Sequence, residues 1–154
     1  MEQTPYEAPI FTLLDNDGNS HSLQDYSGKW LVLYFYPKDD SPGCTIEACS
    51  LRDSHYDIMG LGAEIVGISR DNASSHNNFK SKNNLNFTLL IDADHKVMDK
   101  YGAWNEDGFG WAKVMRKTFI INPEGQVIKT YEHVTPLGHG HQIVEDLKKL
   151  TVGD

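Results

Sequence analysis

The pattern of apolar and polar positions changes period every ten to fifteen residues, which predicts strands alternating with helices within one domain. Residues 10–14 (IFTLL) and 19–23 flank Asn16-Asp17-Gly18, a strong turn signal, so an N-terminal hairpin is expected. Trp30 to Tyr36 (WLVLYFY) is apolar on both alternating faces, as befits a central strand covered on both sides. After a long loop, Ser41-Pro42 reads as the N-cap and first position of a helix from about Pro42 to Met59, ending at Gly60 or Gly62. Glu64 to Ser69 is the next buried strand, followed by a polar helix near Ser74 to Lys82 and a strand from Phe87 to Ile91. This β-α-β order implies parallel pairing. A short helix over about Lys96 to Tyr101 leads through a glycine-containing loop to a second hairpin, Lys117 to Asn122 and Gln126 to Tyr131, turning at Pro123-Glu124-Gly125. A last helix over about Gly140 to Leu150 gathers Ile143, Val144, Leu147 and Leu150 on one face. The sum is an α/β sandwich around a mixed sheet.

Length and charge narrow this picture. A chain of 154 residues matches one domain and should bury about 70% of the surface it exposes when unfolded. With 13 Gly and 6 Pro it is neither collagen-like nor low-complexity. The formal charge of −8, without a basic stripe, argues against nucleic acid or an anionic membrane surface as partner. The longest apolar run, Trp30 to Tyr36, is far short of the ~20 residues that span a bilayer. The segment MEQTPYEAPI carries no signal for secretion or organelle import, so the cytoplasm is the expected compartment.

In a reducing compartment a close pair of cysteines points to redox or metal chemistry rather than to a structural disulfide. Cys44 falls in the first turn of its predicted helix, where free backbone N–H groups and the helix dipole favour an anion such as a thiolate. A free thiol with its ordinary pKa near ~8.5 is only a few per cent ionised at pH 7, and a pKa near ~6 takes about 3.4 kcal/mol of differential stabilisation. A helix terminus supplies at most about 2 kcal/mol, so an arginine is expected nearby, with Arg52, Arg70 and Arg116 as candidates. Strand-end position favours Arg70 or Arg116. Cys49 follows five residues on, which in an intact helix separates the Cα atoms by roughly 8.6 Å. Disulfides need less than about 7 Å. If the two sulfurs pair during turnover, the segment near Gly43 to Leu51 must unwind.

The run Tyr34-Phe-Tyr-Pro-Lys-Asp-Asp-Ser-Pro-Gly-Cys44-Thr-Ile-Glu-Ala-Cys49 resembles the active-site segment of peroxiredoxins, and among them the bacterioferritin comigratory protein or Q-type subfamily. The likeness extends to Gly67-Ile-Ser-Arg-Asp71, His76 to Phe79, Phe87 to Asp92, Tyr101 to Trp104 and Arg116 to Gly125. The resemblance implies a thioredoxin-like fold with a mixed central sheet flanked by helices and an N-terminal hairpin extension. It further implies thiol-dependent reduction of hydrogen peroxide and organic hydroperoxides without metal, haem or other cofactor. The family pattern Pro-x-x-x-Thr/Ser-x-x-Cys falls on Pro37, Ser41 and Cys44, and the family's active-site arginine falls on Arg116. By that likeness Cys44 attacks the O–O bond, Ser41 and Arg116 hold the thiolate and the peroxide, and Pro37 shields the pocket from water. Cys49 matches the resolving cysteine, which closes a Cys44–Cys49 disulfide that thioredoxin or a similar dithiol would reopen. Ser41 stands where threonine is commoner and lacks its rotamer-fixing methyl. Resolution within one helix needs no second subunit, so a monomer is expected.

Other residues admit plainer readings. Cys44, Cys49, His139 and His141 form a conceivable zinc set, but Cys-x4-Cys is loose spacing. His139 and His141 are expected to cap the last helix or to be solvated. Glu47 is set aside as a carboxylate already favoured by the helix dipole. Asp39 and Asp40 read as solvated loop charges that must point away from Cys44. Trp104 and Trp111 read as core or loop anchors before pocket walls. A general disulfide oxidoreductase would carry Cys-x2-Cys, which is missing here. The remaining alternative is a non-enzymatic redox-sensing or interaction domain.

Overall fold

The computed structural model describes residues 4–152, with the side chains of Trp111 and Val152 outside that description, as are Met1 to Gln3 of the N-terminal segment. Eight strands form one sheet: β1 (Tyr6–Glu7), β2 (Thr12–Asp15), β3 (Ser20–Ser22), β4 (Trp30–Phe35), β5 (Ala63–Ser69), β6 (Thr88–Ile91), β7 (Lys117–Ile121) and β8 (Gln126–Tyr131). Four α-helices accompany them: α1 (Pro42–Gly60), α2 (Ala73–Asn83), α3 (Lys96–Tyr101) and α4 (His139–Val152). The strand order is β1-β8-β7-β4-β5-β6-β2-β3. The three inner strands β4, β5 and β6 run parallel, joined by α1 and α2, while β7 lies antiparallel to β4. This is the mixed sheet the periodicity predicts.

The doubly apolar run of β4 divides its side chains between two cores. Val32, Tyr34 and Tyr36 pack with Cys44, Ala48, Leu51 and Ile58 of α1 and with Ile143, Val144 and Leu147 of α4. Leu31, Leu33 and Phe35 pack on the opposite face with Val97, Met98 and Tyr101 of α3 and with Phe11. The two helices on the first face come unusually close at Gly140. A Cβ there would collide with the Ser50 carbonyl oxygen, and the Gly140 N–H donates to Ser50 Oγ at 2.8 Å. Contact this tight fixes α1 along its middle, against the sheet and below Cys44.

The N-terminal region departs from the prediction. The first strand of the hairpin, β2, starts at Thr12 rather than at residue 10, and Ile10 is 74% exposed. The carbonyls just before it serve other donors: Tyr101 Oη bonds Pro9 O at 2.6 Å, and Lys100 Nζ bonds Ile10 O at 3.1 Å. The backbone there has no ladder to join. The hairpin β2–β3 is continuous with the main sheet, because Leu14 and Asp15 pair with Ile91 and Leu90 of β6. At the other edge the two-residue β1 pairs with β8, too short an element to leave a period in the sequence.

Candidate active site

Parallel strands deliver their C-terminal ends, and the loops after them, to one edge of the sheet, and the candidate site is built there. The chain leaves β4 at Phe35, passes Tyr36 and the half-buried Pro37, and enters α1 at Pro42. A buried polar knot holds this loop. Asp39 accepts from Tyr36 Oη at 2.6 Å and from Ser75 Oγ at 2.8 Å, and meets His76 Nδ1 at 2.7 Å. Its own N–H donates to Asp71 Oδ2 at 2.8 Å, and His76 Nε2 meets Leu90 O at 3.0 Å. Asp39 is therefore no solvated loop charge: it is 3% exposed, and it reaches across to α2. Asp40 does face solvent, at 3.6 Å from Lys82 Nζ.

Cys44 occupies the first turn of α1 and is 1% exposed. Its sulfur accepts from Arg116 Nη2 at 3.4 Å. Arg116 immediately precedes β7, and the pairing of Phe35 with Lys117 brings that end of β7 beside the loop that precedes α1. Gly43 leaves room for the guanidinium, since a Cβ at that position would lie 3.1 Å from Nη2. The other Arg116 nitrogen, Nη1, donates to Glu47 Oε1 at 2.6 Å. Glu47 is completely buried one turn after Cys44, and burial pushes its pKa up to about 7 against the pull of Arg116. Burial works against the Arg116 charge too, but the Glu47 carboxylate and the Cys44 sulfur outweigh it and keep that pKa above the ordinary value. Two buried oxygens in this region, Glu47 Oε2 and Tyr34 Oη, have no hydrogen-bond partner among the described residues.

The residues singled out from the sequence are distributed as follows. Cys44 and Arg116 meet directly. Ser41 stands at the N-cap with extended backbone, but its hydroxyl donates to Lys38 O at 2.9 Å and makes no side-chain cap. Of the other two arginines, Arg52 lies against Cys49, while Arg70 donates to Ala93 O and sits over the Trp104 ring. Both cysteines are free thiols, and α1 is unbroken between them. Sequence reasoning set Glu47 aside, although its i+3 spacing from Cys44 puts both on one helix face. That spacing was the available signal.

His139 does not cap or face solvent: it is 1% exposed, contacts Thr118 Oγ1 at 2.9 Å and Gln142 Oε1 at 3.0 Å, and burial lowers its pKa. His141 is exposed, so the conceivable zinc set is not assembled. Among the described residues the group with metal-ligand spacing is Asp39, Asp71 and His76, whose atoms already bond one another, Ser69 and Ser75. Trp104 anchors its loop, stacked on His95 at 3.8 Å and donating to Glu106 at 2.6 Å. A cleft of about 500 Å³ under the N-terminal hairpin, lined by Phe11, Leu23, Tyr26 and Ile121, includes none of the residues around Cys44. Among the described residues no helix is long and apolar enough to cross a membrane.

Comparison with known proteins bears on this geometry. The AhpC/TSA family pattern matches residues 5–130. Peroxiredoxin Bcp of Bacillus subtilis (strain 168) is 41% identical over 148 residues, which is 94% of each chain. Peroxiredoxin Bcp of Escherichia coli (strain K12) is 36% identical over 145 residues, covering 92% of this chain and 93% of its own. Among solved structures, the Xanthomonas campestris bacterioferritin comigratory protein, studied for alkyl peroxide reduction, superimposes with a TM-score of 0.84 at 33% identity over 92% of both chains. BcpB of Mycobacterium tuberculosis superimposes with a TM-score of 0.87 at 27% identity, over 97% of this chain and 99% of its own.

Proposed function

Because the chain belongs to the AhpC/TSA family, as a peroxiredoxin of the Bcp or Q type, we propose that it is a thiol peroxidase in which Cys44 reduces hydrogen peroxide and organic hydroperoxides. The observation that carries this reading is the Arg116 guanidinium donating to a buried sulfur in the first turn of a helix. Both effects favour the thiolate, which is the nucleophile. The thiolate attacks the terminal peroxide oxygen, the S–O bond forms, the O–O bond breaks, and the alkoxide or hydroxide takes up a proton from solvent and leaves as alcohol or water. Cys44 is left as sulfenic acid.

Arg116 serves twice in this scheme, holding the sulfur and polarising the peroxide, and Glu47 aims it from behind. The Ser41 hydroxyl, bonded to Lys38 O in the resting site, is assigned to the peroxide once it enters. Pro37 is assigned to limiting water at the pocket mouth. Cys49 then attacks the sulfenic sulfur to form an intramolecular disulfide and water. Helix geometry keeps the two Cα atoms roughly 8.6 Å apart, so the turns between Gly43 and Leu51 unwind for this step. A thioredoxin or similar dithiol reduces the product by exchange. With both partners of the disulfide on one helix, the chain is assigned to work as a monomer, in the reducing cytoplasm.

The test is intact-mass analysis of the reduced protein after one equivalent of hydrogen peroxide, beside Cys44→Ser and Cys49→Ser variants. Fast loss of two hydrogens in the wild type, an oxygen adduct in Cys49→Ser and no fast change in Cys44→Ser are expected. A wild-type protein that resists oxidation would refute the assignment. Turnover that proceeds equally well without a thioredoxin system would refute the assigned reductant.

A further inference from the structure

Arg52 is one of two arginines the peroxide chemistry leaves unused. It lies one helical turn after Cys49 and points a guanidinium nitrogen at that sulfur: Nη1 donates to Cys49 Sγ at 3.5 Å. The same nitrogen donates to Asn83 O at 2.7 Å, at the C-terminal end of α2. The remaining face of the fork is taken up by Asp53, whose Oδ1 accepts from Nε at 3.0 Å and from Nη2 at 2.9 Å. Two anchors thus aim one N–H at sulfur. Cys49 in turn donates to Asn83 Oδ1 at 3.8 Å, a long and weak bond. The charged group bonded to it is Arg52 on α1, whose own partner is Asp53, while α2 presents the neutral Asn83 amide and its Lys82 is paired with Asp40.

From this geometry we infer that Arg52 is a positioning residue for the second chemical step, favouring the thiolate of Cys49 and so accelerating closure of the disulfide. The inference rests on the assignment of Cys49 as the resolving cysteine. Disulfide closure requires Cys49 to lose its proton, attack the sulfenic sulfur of Cys44 and expel hydroxide, which takes up a proton and leaves as water. The Cys49 electron pair forms the S–S bond as the S–O bond breaks, and no outside oxidant is consumed. A cation bonded to the attacking sulfur raises the fraction of it that is ready. The contact acts at the start of the step, on Cys49 as it gives up its proton, because Arg52 lies just beyond the segment that must open. Its bond to Asn83 O keeps it on α2 while the turn in front of it loosens.

Rapid quench with intact-mass detection after one equivalent of hydrogen peroxide separates the two steps, oxygen adduct first and disulfide second. In Arg52→Gln the oxygen adduct should form at the wild-type rate, and its conversion to disulfide at pH 7 should slow about tenfold, the scale of a lost charge-assisted hydrogen bond. Arg52→Lys keeps a charge without the fork and should fall between the two. The deficit should shrink as pH rises, a convergence that a merely structural role would not produce. Unchanged conversion in Arg52→Gln, or a deficit equal at every pH, would overturn the inference. Were the wild type itself to form no disulfide between Cys44 and Cys49, the resolving assignment would fall first and take this inference with it.

Discussion

Cys44 and Cys49 are five residues apart on one helix, and each has an arginine donating to its sulfur, yet their surroundings differ in kind. Cys44 is sealed: it is 1% exposed, its arginine comes from a distant strand end, and that arginine is shared with a carboxylate that has no other partner among the described residues. Cys49 is half-buried, and its arginine comes from the next turn of the same helix. The first site is held by long-range contacts that persist only in the folded helix. The second is held by an arginine three residues on, which is itself tied to the end of α2 through Asn83 O. The sulfur that must meet peroxide is sealed in a rigid setting, and the sulfur that must reach it is half-buried and set against the end of α2.

The sharpest way to break this contrast is to remove each sulfur. Cys44→Ser should lower peroxide turnover by a factor on the order of 10³ or more, since a serine hydroxyl has no comparable ionised form at neutral pH. Cys49→Ser should leave the first oxidation fast and abolish recycling by a dithiol, with sulfinic acid accumulating under excess peroxide. Single-turnover mass measurements read both. Equal losses of the first step in the two variants would erase the distinction.

Next in size is the distant arginine. Arg116→Met removes the donor to sulfur and strands Glu47, and a loss on the order of 10² to 10³ in kcat/KM is expected. Adding Glu47→Gln to Arg116→Met should recover stability, because no buried carboxylate is then left alone, while activity stays low. Urea unfolding and a peroxide assay on the single and double variants separate the two effects. Recovery of activity in the double variant would mean that Arg116 only neutralises Glu47.

Most of the architecture was legible in the sequence. The bounds of α1, α2, α3, β7 and β8 follow from caps, periods and turns, and the Ser41-Pro42 start is where the helix begins. The polar interior was not legible, because it depends on which loops meet. Asp39 and His76 are distant in sequence, and nothing in the composition of Lys38-Asp39-Asp40 distinguishes the buried carboxylate from the exposed one. His139 was misread for the same reason: its partner Thr118 lies on another element. Glu47 was legible in part, since its position on the Cys44 face is local but its burial depends on Arg116 arriving from β7.

Glu47 also gives a pH test of the sealed site. Its folded pKa of about 7 lies above the ordinary value of 4.5, so the folded protein holds this proton more tightly than the unfolded chain does. The stabilisation is full below about pH 4.5, is lost as pH rises through about 7, and spans about 3 kcal/mol. Glu47→Gln should therefore lose less stability than the wild type between pH 5 and pH 7.5 in urea unfolding. Parallel curves for the two proteins would show that Glu47 is already ionised at pH 5.

The smallest expected effect tests whether the resting geometry is the reacting geometry. Ser41 Oγ bonds to Lys38 O, so Ser41→Ala should cost about 1 kcal/mol of stability, the worth of one neutral hydrogen bond. On kcat/KM it should cost roughly tenfold or less, since the hydroxyl engages peroxide only after leaving Lys38 O. Ser41→Thr adds a methyl that restricts χ1 and should raise kcat/KM if the freed rotamer is the productive one. A Ser41→Ala loss as large as that of Arg116→Met would mean that the hydroxyl already faces the pocket during turnover and that the bond to Lys38 is left at the first step. The rigid setting of Cys44 would then include a moving part, and the contrast between the two sulfurs would narrow to Arg116 and Glu47 alone.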